Sequence, residues 1–222
     1  MNRILVPTDG VQNWQQLLAD PVKHWKTGYS ARALAYAWED ARGLPPEIAT
    51  LLKPFGEVEL LLAIPEYKVE LPGGERASQN DVFTLLRTRD GLIAGMIEGK
   101  VAESFGPTLE EWRKEASPEK IERLTHLCTK LGIPDQFPAG TRYQLLHRGA
   151  SAVIEAERFH AHDAAVIVHS FSPTDASFAD YRTFLGLFGK TGLPGQLVVL
   201  GTPCGIRLWA GWANGNAKFL NS

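Results

Sequence analysis

Two short runs constrain this chain most. Leu92 to Val101 is apolar on both faces of a strand until Glu98, and Ala164 to Ser170 is nearly apolar throughout. A strand that hides both faces needs cover on both, so it belongs inside a sheet packed between helices. The cover is visible nearby. From Ser30 to Arg42, Ala31, Leu34, Ala35, Trp38 and Ala41 recur at 3.6-residue spacing behind Ser30 as a helix cap. Thr141 to Phe159 is a longer amphipathic helix, with Tyr143, Leu146, Ala150, Val153 and Ile154 on one face.

The intervening segments fill in the order. Pro45 and Pro46 end the first helix and open another over Glu47 to Leu52. Val58 to Ile64 reads as a buried strand. Tyr67, Val69 and Leu71 alternate with Glu66, Lys68 and Glu70 as a second, half-buried one. Pro72-Gly73-Gly74 is a turn, and Ser78 or Asn80 is expected to cap a short helix carrying Val82, Phe83, Leu85 and Leu86. Thr108 to Ala116 and Ser117 to Leu131 read as helices, the second started by Ser117 and Pro118 and stopped by Gly132. Ala176 to Phe188 is read as helical, and Gln196 to Leu200 pairs with Ile206 to Trp212. The expected fold is α/β, a mixed central sheet flanked by helices.

At 222 residues with 44% hydrophobic content, the chain suits one domain with a sizeable core. The core is expected at about 30–170, with an extension at about 171–222. A formal charge of −2 argues against coating nucleic acid through global charge and leaves a local basic cleft open. The apolar run before Pro7 and Asp9 is too short for a secretory leader, and no run has the length of a membrane span. Cys128 and Cys204 form no metal-binding or disulfide pattern. A cytoplasmic protein with reduced thiols, no membrane partner and room for homodimerisation is the expectation.

Chemistry concentrates where the apolar strand ends. In Ile97-Glu98-Gly99-Lys100-Val101, Glu98 and Lys100 point to one side and Gly99 to the other. Two opposite charges at the end of a buried strand are costly unless something pairs with them. A divalent cation and a phosphate would do so, the carboxylate holding Mg²⁺ and the lysine steadying the attacking hydroxide. Gly99 would let backbone or substrate approach closely. A structural ion pair is the competing reading. Asp81, and Glu39 at the edge of the first long helix's apolar face, are the further acids such a site needs. Glu66-Tyr67-Lys68 repeats the acid-x-Lys pattern on the polar face of a strand, where solvated charges account for it.

An earlier helical Glu, an acid, then Glu-x-Lys on a core strand resembles the PD-(D/E)xK phosphodiesterase superfamily of restriction-endonuclease-like folds. The stretch from Pro72-Gly73-Gly74 through Ser78-Gln79-Asn80-Asp81 and Ile97-Glu98-Gly99-Lys100-Val101 to Glu103-Ser104-Phe105-Gly106 also resembles a bacterial family of uncharacterised activity assigned to that fold. The resemblance spans roughly residues 30–170. It implies a restriction-endonuclease-like core with extra N-terminal helices and a C-terminal hairpin. It also implies Mg²⁺- or Mn²⁺-dependent cleavage of nucleic acid, with Asp81 and Glu98 as metal ligands, Lys100 as the catalytic lysine and Glu39 as the helical acid. Asn80 stands where the family has proline, and Asp81 is read as opening a helix.

Gln144, His147, Arg148 and Ser151 share a polar stripe on the long helix. The first three are candidates for contacting substrate, against a plain solvated face. His160-Ala161-His162-Asp163 lacks the spacing of a hydrolytic metal motif. Phe184 stands where a phosphate-binding loop ending in Gly189-Lys190-Thr191 needs its first glycine, and no GxSxG elbow is present. The alternative function is a non-catalytic α/β protein that binds a partner or assembles, keeping the fold without the activity.

Overall fold

The structure is a computed structural model that describes residues 10–114 and 116–222. The leader reading above falls on residues 1–9, outside the described residues. Helices α1 (Val11–Leu17), α2 (Pro21–His24), α3 (Ser30–Ala41) and α4 (Pro46–Leu51) precede a meander of β1 (Glu59–Val69), β2 (Ser78–Thr88) and β3 (Gly91–Lys100). Then come α5 (Leu109–Arg113), α6 (Pro118–Leu131), α7 (Tyr143–Arg158), β4 (Asp163–Ser170), α8 (Phe178–Gly186), β5 (Leu197–Gly201) and β6 (Arg207–Asn214).

The six strands form one mixed sheet in the order β1-β2-β3-β4-β6-β5. β1, β2 and β3 run antiparallel, β4 lies parallel to β3 and to β6, and β5 closes the edge antiparallel to β6. Each face carries its own core. On one side Leu127, Leu146, Val153 and Phe184 pack over Phe83, Met96 and Val166. On the other Leu34, Trp38 and Ile48 pack over Val82, Ile97 and Ile167. Every residue of β4 is buried, as a strand covered on both faces requires. Among the described residues no helix is long and apolar enough to cross a membrane.

Three expectations are corrected. Val82 to Leu86 lie on strand β2, not on a short helix, because the run is buried on both sides between β1 and β3. The two segments read on either side of Pro65 are one strand. β1 is the edge of the sheet, where a proline removes no essential ladder bond, and Glu66 absorbs the bend at φ 51°. The C-terminal strands are paired as expected, but they are not appended to a finished core. β6 lies between β4 and β5 inside the same sheet.

Arg123 on α6 fastens the turn between β1 and β2. Its Nε donates to Pro72 O at 3.0 Å, and its Nη2 donates to Leu71 O and Gly74 O. Gly73 fits beneath at φ 76°, where a Cβ would fall 2.1 Å from the Glu119 carbonyl oxygen.

Candidate active site

The β2–β3 ladder ends at Val82 and Ile97, whereas β3 stays paired with β4 as far as Lys100 and Ser170. Strands β2 and β3 therefore diverge just before Asp81 and Glu98. In the gap, Asp81 Oδ2 accepts the Gly99 N–H at 2.8 Å. A Cβ on Gly99 would lie 3.5 Å from Asp81 Oδ2 and 3.3 Å from Leu34 Cδ2, so the glycine admits both the carboxylate and helix α3. Glu66 lies between the pairs Pro65–Val82 and Tyr67–Asn80, which sets it opposite Asp81. Glu66, Asp81 and Glu98 thus occupy successive positions across three neighbouring strands.

Helix α7 supplies the facing side. Arg148 Nε donates to Glu98 Oε2 at 2.5 Å, its Nη1 donates to the Gln79 carbonyl, and its Nη2 lies 3.4 Å from Asp81 Oδ1. Gln144 Nε2 donates to Glu98 Oε1 at 2.7 Å. Lys100 Nζ donates to the same oxygen at 2.7 Å and to Gln144 Oε1 at 3.3 Å, and lies 4.7 Å from the Phe105 ring centroid. Glu103 ties α3 to this end of the sheet, its carboxylate accepting the N–H groups of Ser30 and Val101, each at 2.8 Å. The three acids, Lys100, Gln144 and Arg148 all line one cleft of about 510 Å³.

Burial works against a charged Glu98, but the Arg148 guanidinium and the Lys100 ammonium outweigh it and hold its carboxyl down to about 2. The neighbours on its row show the reverse. Burial and the charge of Glu98 push Asp81 up to about 7, and burial with the charge of Asp81 pushes Glu66 up to about 8. Three acids share two cations, and the shortfall falls on Asp81 and Glu66.

Of the sequence-predicted residues, Asp81, Glu98, Lys100, Gln144, His147 and Arg148 converge on this cleft. Asp81 does so from strand β2, not from the helix start expected of it. Glu39 does not join them. It accepts a hydrogen bond from Trp14 Nε1 at 2.8 Å and lines a different cleft, with Lys218 and Phe219. Its helix turns the sheet-facing side, Leu34 and Trp38, inward and carries Glu39 toward α1. Glu66, read from sequence as a solvated charge, is the acid found at the site. Its alternation pattern hid this, because the positive φ breaks the alternation there.

Among the described residues no group of three or more His, Cys, Asp or Glu is arranged to hold a metal ion. The remaining donor set is two hard carboxylates, Asp81 and Glu98. It suits Mg²⁺, which keeps several waters and commonly takes one or two protein carboxylates beside a substrate phosphate. Arg148 already contacts both carboxylates, so a divalent ion at those oxygens would compete with the guanidinium. His160 and His162 stand apart from this group, and the neighbouring Asp163 is engaged by Arg207 and by Trp209 Nε1.

Residues 7–217 match a family described as Domain of unknown function (DUF6946), and the chain belongs to that family. No curated protein and no solved structure matches the chain.

Proposed function

We propose that this member of the DUF6946 family is a metal-dependent phosphodiester hydrolase acting on nucleic acid, built on a PD-(D/E)xK-type core. The observation that carries the reading is the convergence of Asp81 from β2 with Glu98 and Lys100 from β3 in one cleft, beside Gln144 of α7. The order from α3 through the meander to α7 and β4, a helix, three antiparallel strands, a later helix and a parallel strand, builds a mixed sheet flanked by helices, which supports the reading.

In this reading Asp81 and Glu98 hold Mg²⁺ or Mn²⁺, which when bound supplies Lewis-acid stabilisation of the phosphorane charge and acidifies a coordinated water. Lys100, anchored by Glu98 and Gln144, orients the attacking water and stabilises charge as it develops. Gln144 holds Lys100 and Glu98 in register. Arg148 and Lys100 bring two fixed cations to a chain whose net charge is slightly negative, a local answer to the phosphate.

One observation favours a second reading, a non-catalytic binding or assembly protein with the same fold: Arg148 already supplies positive charge to both Asp81 and Glu98. Calorimetric titration with Mn²⁺, run beside cleavage of single- and double-stranded DNA and RNA, separates the two. Binding and cleavage lost together in Asp81→Asn, in a variant that still folds, support the hydrolase. No metal binding and no cleavage by the unaltered chain supports the second reading.

A further inference from the structure

The charged groups of the cleft sit at its floor. Glu98 is 1% exposed, and Lys100 and Arg148 are each 5% exposed. Two walls flank them. One comes from the N-terminal segment, residues 18–31, through Leu18, Ala19, His24 and Tyr29. The other is the first two turns of α7 with the loop from Ser104 to Pro107. Glu103 fixes the first wall to the sheet, because its carboxylate takes the N–H groups of both Ser30 and Val101.

Whatever reaches Lys100 must pass between these walls. At about 510 Å³ the cleft has the size that encloses a small molecule, of the order of one nucleotide. A duplex is a stiff cylinder whose major groove alone is about 12 Å wide, too broad to enter such a space. A single strand has a flexible backbone and can feed in nucleotide by nucleotide.

The rim carries what an unpaired strand needs. Among the described residues Tyr29, at 39%, is the one aromatic ring among the exposed large hydrophobic side chains. It lines the cleft, and Lys26 Nζ lies 5.9 Å from its ring centroid. Lys23 and His24 stand exposed at the end of α2, just before it. On the opposite wall Tyr143 is backed by Trp112, with ring centroids 4.3 Å apart. Cations beside an aromatic face hold unpaired strands, since any base stacks on the ring while the cations follow the phosphates.

We propose that the cleft takes single-stranded nucleic acid and excludes duplex, with a base stacked on Tyr29 and the backbone led past Lys23 and Lys26 to the floor. What then happens at Lys100 rests on the hydrolase reading. The strand-binding surface does not.

The test is fluorescence anisotropy of the full chain in Ca²⁺, with labelled oligo(dT) and oligo(U) of about 16 nucleotides and a DNA duplex of the same length. Single strands should bind about tenfold tighter than duplex, and the two oligomers show which sugar is preferred. Tyr29→Ala should weaken strand binding about tenfold and Tyr29→Trp should keep it. Lys23→Gln with Lys26→Gln should lower the log–log salt slope by about 1.4. The Tyr29 side chain is exposed and its bond to Ala33 N–H is through the backbone, so these variants should melt like the unaltered chain. Duplex bound as tightly as single strand, no binding of single strand, or unchanged binding in Tyr29→Ala overturns the proposal. Tyr29-dependent strand binding in a chain without metal-dependent cleavage upholds it and removes the hydrolase reading. Duplex cleaved as fast as single strand does the opposite.

Discussion

Arg148 and Glu98 face each other across the cleft floor, Nε to Oε2 at 2.5 Å, with both side chains almost wholly buried. The pair comes from elements fifty residues apart, the second turn of α7 and the splayed end of β3, so it joins the helix to the sheet as well as shaping the site. Glu98 also takes Lys100 and Gln144, which makes it the most heavily used acceptor in the cleft.

Glu98→Gln therefore affects stability as well as chemistry. Removing the charge leaves Arg148 and Lys100 buried without their shared counter-ion, a loss of about 3 kcal/mol. Urea denaturation should show the midpoint falling with the slope unchanged, and metal-dependent cleavage should vanish. A midpoint equal to that of the unaltered chain would show that Glu98 does not bind this corner together.

Arg148→Met should raise affinity for Mn²⁺ about tenfold, ~1.4 kcal/mol, because the guanidinium no longer competes for the oxygens of Asp81 and Glu98. The same variant should be less stable without metal and regain stability when Mn²⁺ is added. Calorimetry with thermal unfolding at several Mn²⁺ concentrations measures both. Unchanged or weaker Mn²⁺ binding counts against metal at these carboxylates.

Stability should fall as the pH rises from about 6.5 to about 8. Asp81 and Glu66 have folded-state pKa values above their ordinary ones, so across that interval they bind more protons in the native chain than in the unfolded one. Each such group contributes a slope of up to about 1.4 kcal/mol per pH unit, reduced by solvent where the carboxylate is partly exposed. Below about pH 6.5 the trend reverses, because the unfolded chain then takes up protons at His126, His147 and His169, which burial holds neutral in the native chain, and below about pH 4.5 at Glu98. Asp81→Asn should flatten the decline. A chain equally stable at pH 6.5 and 8.5 would contradict the crowding of the two acids.

Glu39→Ala should leave metal binding and cleavage as they are, since its carboxylate sits on Trp14 and lines another cleft. The lost hydrogen bond should cost about 1 kcal/mol in urea unfolding. A loss of cleavage in a folded Glu39→Ala chain would restore the helical acid to the site.

Gly73→Ala should be among the most damaging single methyl additions. The new Cβ meets the Glu119 carbonyl oxygen and Arg123 backbone of α6, and φ 76° is strained for any side chain. A loss of about 3 kcal/mol or more is expected. Native-like thermal stability would mean that the turn can lift off α6 freely.

The sequence disclosed what local rules control. The stripes of α3 and α7 obey the helical period, Ser117 caps α6, and β3 and β4 declare themselves by being apolar on both faces. Val82 to Leu86 carry no period at all. An apolar run buried on two sides looks alike in a helix or a strand, and only pairing with β1 and β3 decides between them. The Glu98-x-Lys100 pair was legible because charges seldom end a core strand. Glu66 was not, since its place opposite Asp81 depends on cross-strand register and a positive φ. The contacts of Ser78 with His147 and Ser151 join residues about seventy positions apart and leave no local signature.

The placement of β6 between β4 and β5 bears on the order of events during synthesis. A nascent chain can close the meander and dock α3 early, but β4 keeps one hydrogen-bonding edge bare until residues 207–214 have left the ribosome. Until then a strand destined for complete burial offers an open seam to any passing extended segment, so the interval between translating β4 and β6 is when this chain most needs a chaperone.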